Sequence, residues 1–138
     1  MTAPGLHELP ELPLAASPSY RALGERVAGG LEDGDPAQHV AVFAEHVAEL
    51  AACGATDEFD AVFATVESVL QQADAVVQRH VGRFFLGMLQ LAARRRGVPL
   101  ERFEVWLGPR AREEWAAASE LHAAVRAAYA EHYHLPGR

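Results

Sequence analysis

Histidine is the residue type in this chain whose number most invites a chemical reading. Seven histidines stand at 7, 39, 46, 80, 122, 132 and 134. Two metal ligands on one helix face need a spacing of three or four, and no two of these histidines have it. There is no His-Glu-x-x-His, and no pair of Glu-x-x-His motifs such as the di-iron bundles use. His46 with Glu49 is the helical pair at usable spacing, and it reads as two ordinary side chains. His132 and His134 diverge by about 200° if their segment is helical. The expectation is a chain with no metal site and no cofactor.

Nucleophiles and phosphate cradles fare no better. Cys53 falls at a predicted helix C-terminus, just before Gly54, where the helix dipole disfavours a thiolate. It reads as a small packed apolar residue. Ser17, Ser19, Ser68 and Ser119 lack a Gly-x-Ser-x-Gly setting. Gly29-Gly30 is not followed by the Gly-Lys-Ser/Thr of a phosphate-binding loop. Among the acids, Glu67 sits at the border of an apolar stripe. If buried it needs a partner, for which Arg79, Arg83 or an indole N–H is available. A structural pair is the expected role, ahead of general acid–base work. Arg79 and Arg83 share a helix face and suit a phosphate or an acidic partner. Arg94-Arg95-Arg96 reads as the dipole complement at a helix end.

The elements that would hold these groups are announced by start and stop signals. Residues 1–16 carry Pro4, Pro10 and Pro13, which predict an extended N-terminal arm. The remainder, 17–138, reads as a single helical domain. Ser17-Pro18 caps a short helix running through Tyr20, Leu23 and Val27 to Gly29-Gly30. Asp35-Pro36-Ala37-Gln38 has the form of a capping box. Behind it Val40, Phe43, Val47, Leu50 and Ala51 share one face. A second stripe holds Phe59, Val62, Phe63, Val66, Val69 and Leu70, with Asp57 and Glu58 in the first turn. The third runs from Asp74 through Val76, Val77, Val81, Phe84, Phe85, Met88, Leu89 and Leu91 to Gly97 and Pro99. It is apolar around much of its girth and so is predicted to be central.

After Pro99 a short helix is expected to hold Leu100, Phe103, Val105, Trp106 and Leu107. Gly108-Pro109 then opens a long alanine-rich helix reaching Tyr133, with Trp115, Leu121, Val125 and Tyr129 predicted to face inward. No period-two alternation and no long repeat occurs. The expected class is all-α, an irregular bundle of five or six helices.

Totals narrow the function classes. The 138 residues make one domain by length, and the net charge is −7. That balance disfavours nonspecific nucleic-acid binding and suits a basic protein partner. No basic-then-apolar leader and no membrane-length apolar run is present. With a single cysteine, no internal disulfide can form. A cytoplasmic protein is expected. Lys, Asn and Ile are absent together, as in a GC-rich, bacterial genome.

Phe43…Leu50, Asp57-Glu58-Phe59, Val66-Glu67-Ser68-Val69-Leu70 and Trp106-Leu107-Gly108-Pro109 followed by Trp115 form a pattern. It resembles a family of small all-helical bacterial proteins of unknown function, over residues 39–121. Some relatives of that type are immunity-like, neutralising toxins in bacterial competition. The resemblance therefore implies a binding role and brings no catalytic residues.

The leading expectation is a protein-binding module, in its narrower form an immunity-like inhibitor. Its candidate patches are Asp57, Glu58 and Asp60 on one helix start and Glu113, Glu114 and Glu120 on the last helix. One rival is an enzyme or small-ligand binder with a pocket at Glu67, His80, Trp106 and Trp115. The other is a self-assembling homo-oligomer whose arm docks on a neighbour.

Overall fold

The computed structural model describes residues 17–20, 36–72 and 75–133. The side chains of 36–39, 77, 79–81, 83 and 133 lie outside that description. The N-terminal arm, the capping box at Asp35, and His7 and His134 lie outside it as well. So do the side chains of His80, Arg79 and Arg83.

The described residues contain no strand, and the fold is all-α. Among the described residues, after a helical segment at 18–20, six α-helices follow one another: α1 Pro36–Ala52, α2 Phe59–Gln72, α3 Ala75–Arg79, α4 Gly87–Arg95, α5 Glu101–Glu104 and α6 Pro109–Tyr133. A π-helical stretch, His80–Leu86, joins α3 directly to α4. α1 packs along the π stretch and α4, while α6 packs against α2, the π stretch and α4. The third apolar stripe is therefore central, as its girth predicts.

Stop signals work through backbone geometry. Gly54 has φ 73° and Gly97 φ 71°, a region that L side chains enter only at a cost of about 1–2 kcal/mol. After α1, Ala55 N–H reaches back to Leu50 O at 2.8 Å and Gly54 N–H to Ala51 O at 3.1 Å. After α4 the same pair recurs, Val98 N–H to Ala93 O at 2.9 Å and Gly97 N–H to Arg94 O at 3.2 Å. Both are Schellman turns, which satisfy the last carbonyls of each helix. Val98, just past the second glycine, is buried and ties that turn to the core.

The core is aromatic. Tyr20 meets Phe43 edge-on at 4.8 Å, and Phe43 stacks on Phe85 at 5.4 Å. A second group joins Phe59, Phe63 and Phe103, with Trp106 edge-on to Phe59 and Trp115 tilted on Phe103, each at 5.8 Å. Each fully buried ring contributes roughly 1.5–3 kcal/mol relative to exposure. Burial pushes the Tyr20 phenol up to about 12.

Several predicted inward positions are corrected. Val76, Phe84 and Leu91 are exposed on the central rod, and the short helix expected to hold Val105 ends at Glu104. Leu121, Val125 and Tyr129 are 58%, 45% and 56% exposed. The physical reason is that the distal half of α6 is covered on one side only: Ala118 is the last of its residues described as buried, and about 20 Å of helix follows it. Cys53 is exposed too, because the chain leaves the core at the Gly54 turn.

Replacing Gly97 by Ala places a Cβ with nothing within 4 Å, so the cost is backbone strain alone. Urea unfolding is expected to show a loss of about 1–2 kcal/mol for Gly97→Ala and a smaller one for Gly97→Asn, which tolerates this conformation.

Candidate functional site

The most organised polar constellation lies where α2 meets the start of α6. Gly108 is the cap residue of α6, since its carbonyl accepts the first intrahelical bond from Arg112 N–H at 2.9 Å. A glycine has no side chain with which to cap the free amides of the first turn. Pro109 at the first helical position has no N–H to satisfy. The next two amides are met from another helix: Glu67 Oε2 accepts from Arg110 N–H at 3.0 Å and Glu67 Oε1 from Ala111 N–H at 2.8 Å. Gln71 Nε2 donates to the same carboxylate at 2.7 Å.

A negative group at a helix N-terminus is also favoured by the macrodipole. Burial opposes the charge on Glu67. The donors from Ala111, Gln71 and Arg110, with the Arg110 charge, outweigh it and hold the carboxyl below its ordinary 4.5. Gly108 makes room for this approach, because a Cβ there would stand 2.6 Å from the Glu67 carboxyl carbon. Arg112 braces the turn from behind, donating Nε to Leu107 O and a terminal nitrogen to Glu104 O, both at 3.0 Å.

Among the described residues Glu67 is met by two main-chain amides and Gln71 rather than by an indole, and the side chains of Arg79 and Arg83 lie outside the description. Trp106 packs on Phe59 and Trp115 on Phe103, so both indoles join the same aromatic group. Among the acids of α6, Glu113 and Glu114 both pair with Arg110, at 3.1 and 2.9 Å, while Glu120 is exposed. Asp57 and Asp60 are exposed at the start of α2.

Glu58 is committed elsewhere, to a cluster that sequence spacing could not reveal. Ser19 donates its N–H to Glu58 Oε1 at 2.8 Å and its hydroxyl to Glu58 Oε2. Ser17 Oγ donates to Oε1 at 3.3 Å, and Ser19 Oγ lies 2.8 Å from His46 Nε2. Burial raises the Glu58 pKa, but the Ser19 and Ser17 donors and the His46 charge bring it below 4.5. The residue types are those of a hydrolytic triad, yet the arrangement is different. The acid takes the serine hydroxyl and its amide, where a triad acid would orient the imidazole. The result is a latch holding segment 17–20 on α1 and α2, which seats Tyr20 in the core. Long-range pairing brought these four residues together, and no local motif signals it.

His46 therefore serves Ser19. Arg95 and Arg96 pair with Glu45, and Arg96 also with Glu49 at 3.7 Å. No group of three or more His, Cys, Asp or Glu among the described residues is placed to hold a metal ion. No described helix is long and apolar enough to cross a membrane.

Residues 10–123 match the model of DUF7674, a domain of unknown function. The chain belongs to this family. The match takes in Glu67 and the Gly108–Ala111 turn and stops inside α6. No curated protein and no solved structure matched the chain.

Two outcomes test the junction in this DUF7674 protein. Glu67→Ala is expected to cost about 0.5–2 kcal/mol, the worth of a helix cap, and Gly108→Ala a similar amount. In the double variant the second substitution adds little, because the clash it creates is with a side chain already removed. Additive losses in denaturant unfolding would refute the coupling. The pH response follows from the sign of the shifts. The folded pKa values of Glu67 and Glu58 are depressed, so their contribution is present above the ordinary 4.5 and lost as pH falls through the lower folded values. Glu67→Gln is expected to flatten that acid limb of a stability–pH curve.

Proposed function

We propose that this chain is a protein-binding module and that the distal half of α6 is its binding element. The observation that supports this reading is the exposed stripe of Leu121 and Val125, one turn apart and continued by Tyr129, on a half-helix covered on one side only. From Leu121 to His132, only His122 and Ala130 are even half-buried. A lone helical segment of about 12–15 residues is marginal in water. An apolar stripe at helical spacing is the recognition surface of helix-in-groove complexes. Tyrosine is among the residue types enriched at the energetic centre of protein interfaces.

The narrower form of this reading is an immunity-like inhibitor of a basic partner. The net charge of −7 supports it, as do the exposed Asp57, Asp60 and Glu120. Glu58, Glu113 and Glu114 contribute less to such a face than their number suggests, since each already holds an internal partner. The rival reading of a ligand pocket at the two tryptophans loses support, because both indoles join the aromatic group. Around Ala128, Tyr129, Glu131 and His132 there is only a shallow, open depression on α6.

Tagged protein is used to retrieve partners from native lysate, and the partner is then purified and titrated against the wild type and Leu121→Ser/Val125→Ser. Both positions are exposed, so the variant is expected to keep its helicity and melting temperature. A stoichiometric complex weakened at least about tenfold is the expected result. Unchanged affinity in a folded variant would sink the α6 assignment, and a reversal at Asp57 and Asp60 that abolished binding would move the interface to α2.

A further inference from the structure

α4 and α6 meet along a polar seam rather than an apolar one. On α4, Gly87, Gln90 and Arg94 fall on one face, and on α6 so do Trp115, Ser119, His122 and Arg126. Gln90 is fully buried and donates Nε2 to Trp115 O at 3.0 Å and to Ser119 Oγ at 2.9 Å. One turn along, a Cβ at Gly87 would sit 3.7 Å from His122 Nε2. Nδ1 of the same imidazole is buried with no hydrogen-bond partner among the described residues. At the outer end of the seam Arg126 acts on Arg94, and both act on His122, as like charges.

This pairing is unlike that of the neighbouring arginines. Arg95 and Arg96 have Glu45, Arg110 has Glu113 and Glu114, and Arg112 has two carbonyls. Arg94 and Arg126 have no carboxylate in reach among the described residues, in a chain carrying an excess of seven negative charges. Two uncompensated guanidinium groups beside an imidazole form a repulsive cluster that an anion would relieve.

We propose that Arg94, His122 and Arg126 form a binding site for a phosphate dianion, free or as the terminal group of a small phosphate monoester. The two planar guanidinium forks suit bidentate contact with an oxyanion, and their two charges match a dianion. A monocarboxylate would neutralise only one. Burial first, then Arg94 and Arg126, hold the His122 pKa below its ordinary 6.5, so in the empty site the imidazole is neutral at pH 7 and offers one N–H. A bound dianion reverses the sign of its surroundings and raises that pKa.

The full chain, in phosphate-free buffer of fixed ionic strength, is titrated with inorganic phosphate and, separately, with glycerol phosphate. Imidazole NMR signals of His122 are followed against pH. A saturable shift with an upward move of the His122 pKa is expected, weakened at least about tenfold in Arg94→Gln and in Arg126→Gln and unchanged in Arg102→Gln on the exposed face of α5. Tighter binding of glycerol phosphate would identify the monoester as the ligand class, and equal binding would identify free phosphate. Before any ligand is added, Arg126→Gln alone is expected to raise the His122 pKa. The proposal is overturned by a shift that does not saturate, by one equal in all variants, or by a His122 pKa indifferent to Arg126.

Discussion

The carboxylate of Glu67 on the first amides of α6 is the contact from which the rest of the arrangement follows. A helix that starts with Gly-Pro has no side chain of its own to meet its free N–H groups. Here a residue more than forty positions earlier does so. That choice fixes where α6 begins relative to α2. The first turns of the helix then carry Ala111, Trp115 and Ala118 into the core. The same placement brings Gln90 under Trp115 and Ser119, so the α4–α6 seam depends on the α2–α6 junction. Arg112 and the Glu113/Glu114–Arg110 pairs, which lie between exposed and half-buried, hold the turn in register.

Packing then divides α6 into two unlike halves. The proximal half is part of the DUF7674 core, and the family match ends shortly after it. The distal half carries apolar side chains and one arginine with no internal counter-charge. Folding alone does not account for those residues, and both functional readings draw on them. The serine–histidine–glutamate latch has the opposite character. Its residue types suggest reactivity, but its hydrogen bonds are spent on seating Tyr20.

Much of the local structure was legible because it is decided locally. Gly54 and Gly97 end helices through a backbone conformation that only their own residue type favours. Phe59, Val62, Phe63, Val66, Val69 and Leu70 are buried as their spacing predicts, since a helix of ordinary length in a small domain must turn one stripe inward. Val66-Glu67 and Leu107-Gly108-Pro109, quoted separately as parts of one sequence pattern, turn out to touch. The clash a Cβ at Gly108 would suffer gives that proximity a steric reason.

The errors share one cause. Leu121, Val125 and Tyr129 form a stripe of their own at helical spacing, with Leu121 about 120° around the helix from Trp115, and periodicity reports a face without saying whether another helix covers it. Cys53 follows the same logic at a chain reversal. Hydrogen-bond partners were equally hidden: Glu67 could have met an arginine, and Ser19 lies far in sequence from His46 and Glu58. Taken alone, the sequence determined an all-α chain, its helix ends and its apolar stripes, because these depend on neighbours within a few residues. Only the tertiary structure decided which stripe is covered, which charges are answered and which are left over, because those depend on groups brought together from distant parts of the chain.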